Sequence, residues 1–422
     1  MPEPNRIVID RVDWKSVLPV LRLASAFKHA LQPGKLLVAF VAVLAIHFSG
    51  VVLDTLWGTP EDGPAGVESM GIYESLLMAF GQELQQLFRS VLDLELGIGS
   101  VSNGVFGSLH GIFIQIPTWM VGEHPWYALV FGIDLLLILA IASGILNRMA
   151  ASQVCAGRLT TAGDAKAFVT KRAAWYLLTP LMPVMLIVVL GAVLALAGLV
   201  FFNAPGLDVV GSLAYGLLLI LGFVIMAVGL LLLFALFLMP PALAVEGSDG
   251  FDAIARSFNY ILFRPWQFGF YLFSAILYLA VVYILVGTLA TLTMDATHYC
   301  VELGSFVTVS EQHEDGASEV DHGHEAITRH EAALVGPEDY GATVSTSSWI
   351  IDRWFELMNA FVAAILLSTL CCLQTQVYVL LRRSADGTPL DQYDSDEPAS
   401  VWDDTPSVAD DSAGDEQAKA EG

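Results

Sequence analysis

Residues 244–267 read AVEGSDGFDAIARSFNYILFRPWQ. They join two of the most apolar runs in the chain, 209–238 and 267–292, where a connector need only turn around. Instead Phe251, Ile254, Phe258, Ile261 and Leu262 recur at helical spacing, with Asp252 and Arg256 between them. Pro240 and Pro241 are expected to end the preceding run, Gly247 and Gly250 to form the turn, and Asp249 or Asp252 to open a new helix. A basic amphipathic helix of this kind lies along a headgroup layer with its apolar face down. Pro265 and Trp266 follow, and an interfacial aromatic residue anchors at the same depth. The competing reading is a substrate-handling loop with Arg256 as an anion ligand. The helical period favours architecture.

The flanking sequence has the composition of a membrane protein. Of 422 residues, 55% are hydrophobic and 15% charged, against about a quarter charged in soluble domains. Six runs approach the ~20 apolar residues that a bilayer requires: 36–56, 126–146, 176–202, 209–238, 267–292 and 349–381. The expected fold is therefore all-α, a polytopic membrane bundle of six transmembrane helices. Segments similar in character to 244–267 precede the other two pairs of runs, RVDWKSVLPVLRLASAFKHALQPGKLLVAF at 11–40 and LTTAGDAKAFVTKRAAWYLLTPLMPVML at 159–186. Three hairpins, each preceded by an interfacial amphipathic helix, follow from that pattern. Pro180 and Pro183 read as ordinary kinks in the third span.

Basic residues orient the chain. Arg6, Arg11, Lys15, Arg22, Lys28 and Lys35 precede the first run; Arg148, Arg158, Lys166, Lys171 and Arg172 lie between the second and third. Arg256 and Arg264 separate the fourth and fifth, and Arg382 and Arg383 follow the sixth. The other connectors are poor in Lys and Arg, so the positive-inside rule places both termini in the cytoplasm of a bacterial inner membrane. Residues 1–35 lack the pattern of a cleaved secretory leader and read as a cytoplasmic amphipathic segment. Residues 36–383 form the membrane domain, with external loops at about 58–125 and 295–348. Nearly half of the net charge of −24 lies in 384–422, where twelve acids accompany only Lys419. That acidic tail is expected to be disordered and cytoplasmic.

Ala244, Glu246, Ala253 and Ser257 also form a spaced pattern, A-x-E-x-x-x-x-x-x-A-x-x-x-S. It resembles the connector in a membrane domain attached to some glycerophosphodiester phosphodiesterases and in several six-span bacterial families. The likeness covers roughly 25 residues plus the six-span layout. The phosphodiesterase barrel has no counterpart, because no soluble stretch approaches the ~250 residues that it needs. The resemblance implies a fold and no activity.

Outside the spans, YESLLMAFGQELQQLFRSVLDL (73–94) places Leu76, Phe80, Leu84, Leu87 and Val91 on one helical face. GVFGSLHGIFIQIPTWMV (104–121) reads as interfacial or re-entrant, since a seventh span would reverse the downstream charge pattern. The second loop contains His298, His313, His322, His324 and His330, but no His-Glu pair is followed by a histidine four residues after the first. No metal or other cofactor is expected. Cys155, Cys300, Cys371 and Cys372 predict no disulfide framework.

Ionisable residues inside a bilayer are costly and point to function. His47, Asp134, Arg353 and Glu356 qualify, with Asn359 one turn beyond Glu356. Asp134 and Arg353 are expected at similar depth, as an interhelical ion pair or as part of a solute pathway; Arg353 and Glu356 can also pair along one helix. Nucleophile elbow, Walker loop and dinucleotide fingerprint are all absent, so no catalysis is expected. The bilayer itself is one partner; nucleic acid is disfavoured. Trp402, within ASVWDDTPSVADD (399–411), is the natural anchor for a cytoplasmic protein partner. The expected function is a membrane scaffold or accessory protein with a partner-binding tail. The alternative is a small-solute or lipid transporter using the polar residues of spans two and six.

Overall fold

The computed structural model describes residues 19–57, 71–97, 104–203, 207–304 and 341–390. The acidic segment from residue 391 onward, including Trp402, lies outside the described residues, as do His313, His322, His324 and His330. The described part is an all-α bundle in which six helices are long and apolar enough to cross a membrane.

A 3₁₀ segment, Pro19–Ser25, leads into α1 (Ala26–Ala30) and the first span, α2 (Pro33–Trp57). Then come α3 (Ile72–Leu92), α4 (Gly104–His110) and α5 (Ile116–Glu123), the last two joined by a π-helical turn, Gly111–Gln115. The second span is α6 (Pro125–Ala156). A short α7 (Ala162–Lys171) precedes the third and fourth spans, α8 (Ala173–Phe202) and α9 (Leu207–Ala235). Two short helices, α10 (Met239–Glu246) and α11 (Gly250–Phe263), lead to α12 (Pro265–Gly304) and α13 (Gly341–Asp386).

Consecutive spans pack as three hairpins, and α13 also packs on α2 and α6. The short helices α1, α7, α10 and α11 gather at one end, here the near end; α3, α4 and α5 belong to the far end. The second hairpin, α8 and α9, stands apart along most of its length. Leu213 is 89% exposed and Phe223 74%, as lipid-facing residues are in a hairpin whose two helices pack mainly on each other.

Several expectations change in detail. Pro240 and Pro241 do not end the fourth span, which stops at Ala235; they occupy the first turn of α10, where fixed φ and a missing N–H cost nothing. Gly247 makes the turn with φ of 62° and donates to the Leu243 carbonyl. Gly250 does not turn the chain: it is the first residue of α11, and a Cβ there would lie 2.6 Å from Thr179 Oγ1 of α8. Asp249 is the cap, its carboxylate accepting from the Asp252 N–H at 2.9 Å.

On α3 the buried face is rotated from the expected one. Leu87 and Val91 are buried, but Phe80 is exposed, and Ser75 and Ala79 turn inward instead. Small residues let α3 approach its neighbours closely, and Phe88 packs against Tyr283 of α12 with ring centroids 5.1 Å apart. Residues 104–123 form helix interrupted by the π turn and are not one of the six long apolar helices. The last two spans overrun their predicted ends. At about 1.5 Å per residue, the 40 residues of α12 extend roughly 60 Å, twice a hydrocarbon core.

Candidate functional site

The pattern carried by Ala244, Glu246, Ala253 and Ser257 folds into the most polar part of the near-end core. Ala244, Ala253 and Ser257 are fully buried. Ser257 Oγ donates to its own helix at Ala253 O, so its hydroxyl needs no outside partner. Glu246, in the last turn of α10, accepts from Tyr378 Oη at 3.0 Å and from Arg382 Nη1 at 2.9 Å, both on α13. Arg382 is 2% exposed and Glu246 17%, so the guanidinium end of this ion pair is buried and the carboxylate end only partly so.

Two more cations converge on the same helix end. Arg148 of α6 donates to the Ala244 carbonyl at 2.9 Å, and Arg172 of the α7–α8 junction donates to the Gly247 carbonyl at 3.0 Å. The last carbonyls of a helix lack intrahelical partners and carry its negative dipole end, and guanidinium groups answer both needs. Phe168 of α7 lies between these two arginines, whose Cζ atoms sit 3.7 and 4.1 Å from its ring centroid.

Lys35 extends the knot to the first span. It is fully buried, and its Nζ donates to Gln153 Oε1 at 2.7 Å and to the His29 carbonyl at 3.2 Å. Gln376 of α13 reaches Ser25 and His29, while Ser368 donates to the Ala30 carbonyl. Burial, followed by the charges of Lys35 and Lys28, holds the His29 imidazole below its ordinary pKa. Thus Lys35, Arg148 and Arg382 are not headgroup-facing charges. They are spent inside the protein.

The exit of α13 is held by α11. Tyr260 Oη donates to the Asp386 carboxylate, Arg256 lies 3.9 Å from the same group, and Arg264 donates to Ser384 Oγ at 2.9 Å. Burial, then the hydrogen bond to Asp386 and that carboxylate's charge, push the Tyr260 phenol well above its usual range. Arg256 also pairs with Asp252 at 2.8 Å, which accounts for its charge without an external anion.

The polar residues expected inside the membrane are only partly brought together. His47 Nε2 lies 3.6 Å from Glu356, which Arg353 approaches to 2.6 Å on the same helix. The contact expected between Asp134 and Arg353 is not among the ion pairs of the described residues; Arg353 pairs with Glu356, one turn along. Asp134 instead has one carboxylate oxygen, Oδ2, buried without a hydrogen-bond partner. Asn359 is exposed.

Tyr73 of α3 completes the far-end chain, its hydroxyl 3.4 Å from His47 Nδ1. Its phenol is pushed up to about 12 by burial and by the Asp54 and Glu356 charges. Asp54, which sequence reasoning missed, organises this region. Its carboxylate accepts the Tyr73 N–H at 2.9 and 3.1 Å and the Tyr127 hydroxyl at 3.0 Å. An acid on α2 thereby caps α3, a role that neither neighbouring sequence nor helical spacing could signal. Gly71 makes room for it, since a Cβ there would lie 2.0 Å from Asp54 Oδ2.

All four cysteines are free, and only Cys300 is exposed. Among the described residues no cluster of three His, Cys, Asp or Glu side chains could hold a metal ion. Neither a family model, nor a curated protein, nor a solved structure matches the chain.

Proposed function

We propose that the chain is a non-catalytic membrane scaffold or accessory protein whose acid-rich C-terminal segment recruits a protein partner. The supporting observation is the fixed exit of the last span. Arg382 is locked to Glu246 and also donates to the Pro389 carbonyl at 3.4 Å, while Tyr260, Arg256 and Arg264 hold Asp386 and Ser384. A segment with twelve acids in 384–422 therefore departs from a defined point on a stiff platform. Such a departure point favours presentation of a charged linear motif, for which Trp402 supplies the apolar anchor. The platform is a multi-pass membrane bundle, and we place its near end and both termini on the cytoplasmic side of a bacterial inner membrane.

The transporter alternative relied on Asp134, Arg353 and Glu356 acting together. The His47–Glu356 and Arg353–Glu356 pairs do not include Asp134, which lends that alternative less support. In this chain the four positions of the sequence likeness serve packing and the Glu246–Arg382 ion pair, which fits this reading.

The test is native mass spectrometry of the full-length protein, gently extracted from its own membrane, beside a variant truncated after residue 390. A reproducible protein partner that is lost on truncation supports the scaffold. A partner retained by the truncated variant, or full-length protein that carries none, overturns it.

A further inference from the structure

An open groove of about 670 Å³ lies beside the exit of the last span, between α11 and the final turn of α13. That volume is within the ~300–1,000 Å³ usual for small-molecule sites. Arg256, Tyr260 and Arg264 recur at every fourth position along the α11 wall, with Asn259 and Phe263 beside them. Asp386 stands on the α13 side.

The charges in this groove are unequally used. Arg256 is matched by Asp252 at 2.8 Å and lies 3.9 Å from Asp386 Oδ2, to which Tyr260 also donates. Arg264 has uncharged partners among the described residues, Ser384 Oγ at 2.9 Å and Gln267 Oε1 at 3.5 Å. Both bonds leave from Nη1, so Nε and Nη2, the pair that forms a side-on fork, remain available. Among the described residues Asp386 Oδ1 has no partner, and neither has the side chain of the exposed Asn259. The groove therefore presents an uncompensated cation, a free carboxylate oxygen and an unused amide.

On a soluble surface water would satisfy such groups. Here the lip is apolar: Leu262 is 62% exposed, Phe263 81% and Trp266 91%. These residues lead directly into α12, which is apolar enough to cross a membrane. Exposed aromatic residues at the start of a span sit at headgroup level, so a lipid headgroup is what meets the groove there.

We propose that the groove binds a zwitterionic phospholipid whose headgroup carries a primary amine, its phosphate on Arg264 and Asn259 and its ammonium on Asp386 Oδ1. A guanidinium fork matches phosphate with two parallel bonds, and the amide N–H adds a third. A primary ammonium has donors for the carboxylate oxygen; a quaternary one has none. An anionic headgroup without the amine meets Arg264 but sets its charge against Asp386. Arg383, exposed on α13, does not line the groove. The acyl chains leave past Phe263 and Trp266 into the bilayer. The site goes beyond the scaffold reading and does not depend on it.

Native mass spectrometry of the full-length protein tests this, with phosphatidylethanolamine, phosphatidylcholine and phosphatidylglycerol of identical acyl chains titrated in turn. One phosphatidylethanolamine should bind more tightly than either of the others. Arg264→Gln should weaken that binding about tenfold or more, the lower bound for a hydrogen bond to a charged group. Asp386→Asn keeps an acceptor oxygen and removes the charge, so phosphatidylglycerol should then bind at least as well as phosphatidylethanolamine. A merely structural role for Asp386 would weaken all three lipids together.

Arg264 is exposed, so its variant should fold as the parent does and keeps the test decisive even if Asp386→Asn does not fold. The proposal is overturned if the three lipids bind alike, if Arg264→Gln holds phosphatidylethanolamine as the parent does, or if folded Asp386→Asn keeps the parental order. It is equally overturned if free phosphoethanolamine competes as well as the lipid, which would make the ligand a soluble one. Phosphatidylethanolamine bound only after truncation at residue 390 also overturns it, since the acid-rich segment would then fill the groove.

Discussion

Replacing Glu246 by Ala should cost more than any other single change at the near end. Two unit charges 2.9 Å apart attract by roughly 6 kcal/mol at an effective dielectric of about 20, while burying each ion costs several kcal/mol. The pair itself is therefore a small net contributor. Removing one partner is different: Arg382, only 2% exposed, keeps its desolvation cost and loses the Glu246 carboxylate. The loss expected for a buried pair broken this way is about 3–5 kcal/mol, which includes the Tyr378 hydroxyl left without its acceptor. Thermal unfolding of the purified protein should show a decrease of the order of 5 °C or more. Glu246→Gln, which keeps an acceptor oxygen but not the charge, should lose about half as much. The double variant Glu246→Ala with Arg382→Met should recover at least ~1 kcal/mol relative to Glu246→Ala alone, since an apolar pair avoids the buried charge. If Glu246→Ala melts within a degree of the parent, or if the double variant is the sum of the two singles, the knot does not hold the platform together.

Three further outcomes follow from the far end. Gly71→Ala should destabilise, since its Cβ would lie 2.0 Å from the Asp54 carboxylate, and Asp54→Ala in the same chain should relieve part of that loss; strict additivity in a double-mutant cycle refutes the contact. The Tyr73 phenol is raised from about 10 to about 12, so between those values the native state retains a proton that the unfolded chain releases. Stability should thus be level below pH 10 with respect to this group and fall by up to about 2 kcal/mol as pH rises to 12, a component that disappears from the unfolding curves of Tyr73→Phe. Cys300 is the one exposed cysteine and lies near the distal end of α12, so an impermeant maleimide should label intact cells through it and not through Cys300→Ser protein; labelling only after the membrane is opened reverses the proposed orientation.

The spans were legible because lipid solvation demands a long apolar run of any helix that crosses it, and that demand is local in sequence. The same applies to the cap at Asp249 and the turn at Gly247, which need only neighbours along the chain. What the sequence hid are the contacts whose two halves are far apart: Asp54 with Tyr73 and Tyr127, Glu246 with Tyr378 and Arg382, Lys35 with Gln153. The case of the basic residues is more instructive. Lys35, Arg148, Arg172 and Arg382 entered the sequence reading as markers of orientation, yet each donates to a carbonyl, amide oxygen or carboxylate of the protein itself. Both roles have one physical origin. The cluster forms where α10 ends and spans meet the interface, and unpaired helix carbonyls and one partly buried acid there attract cations whichever way the bundle is inserted. Charge counting along this chain consequently measures the demands of the near-end knot as well as the side on which it lies, and only an exposed reporter such as Cys300 separates the two.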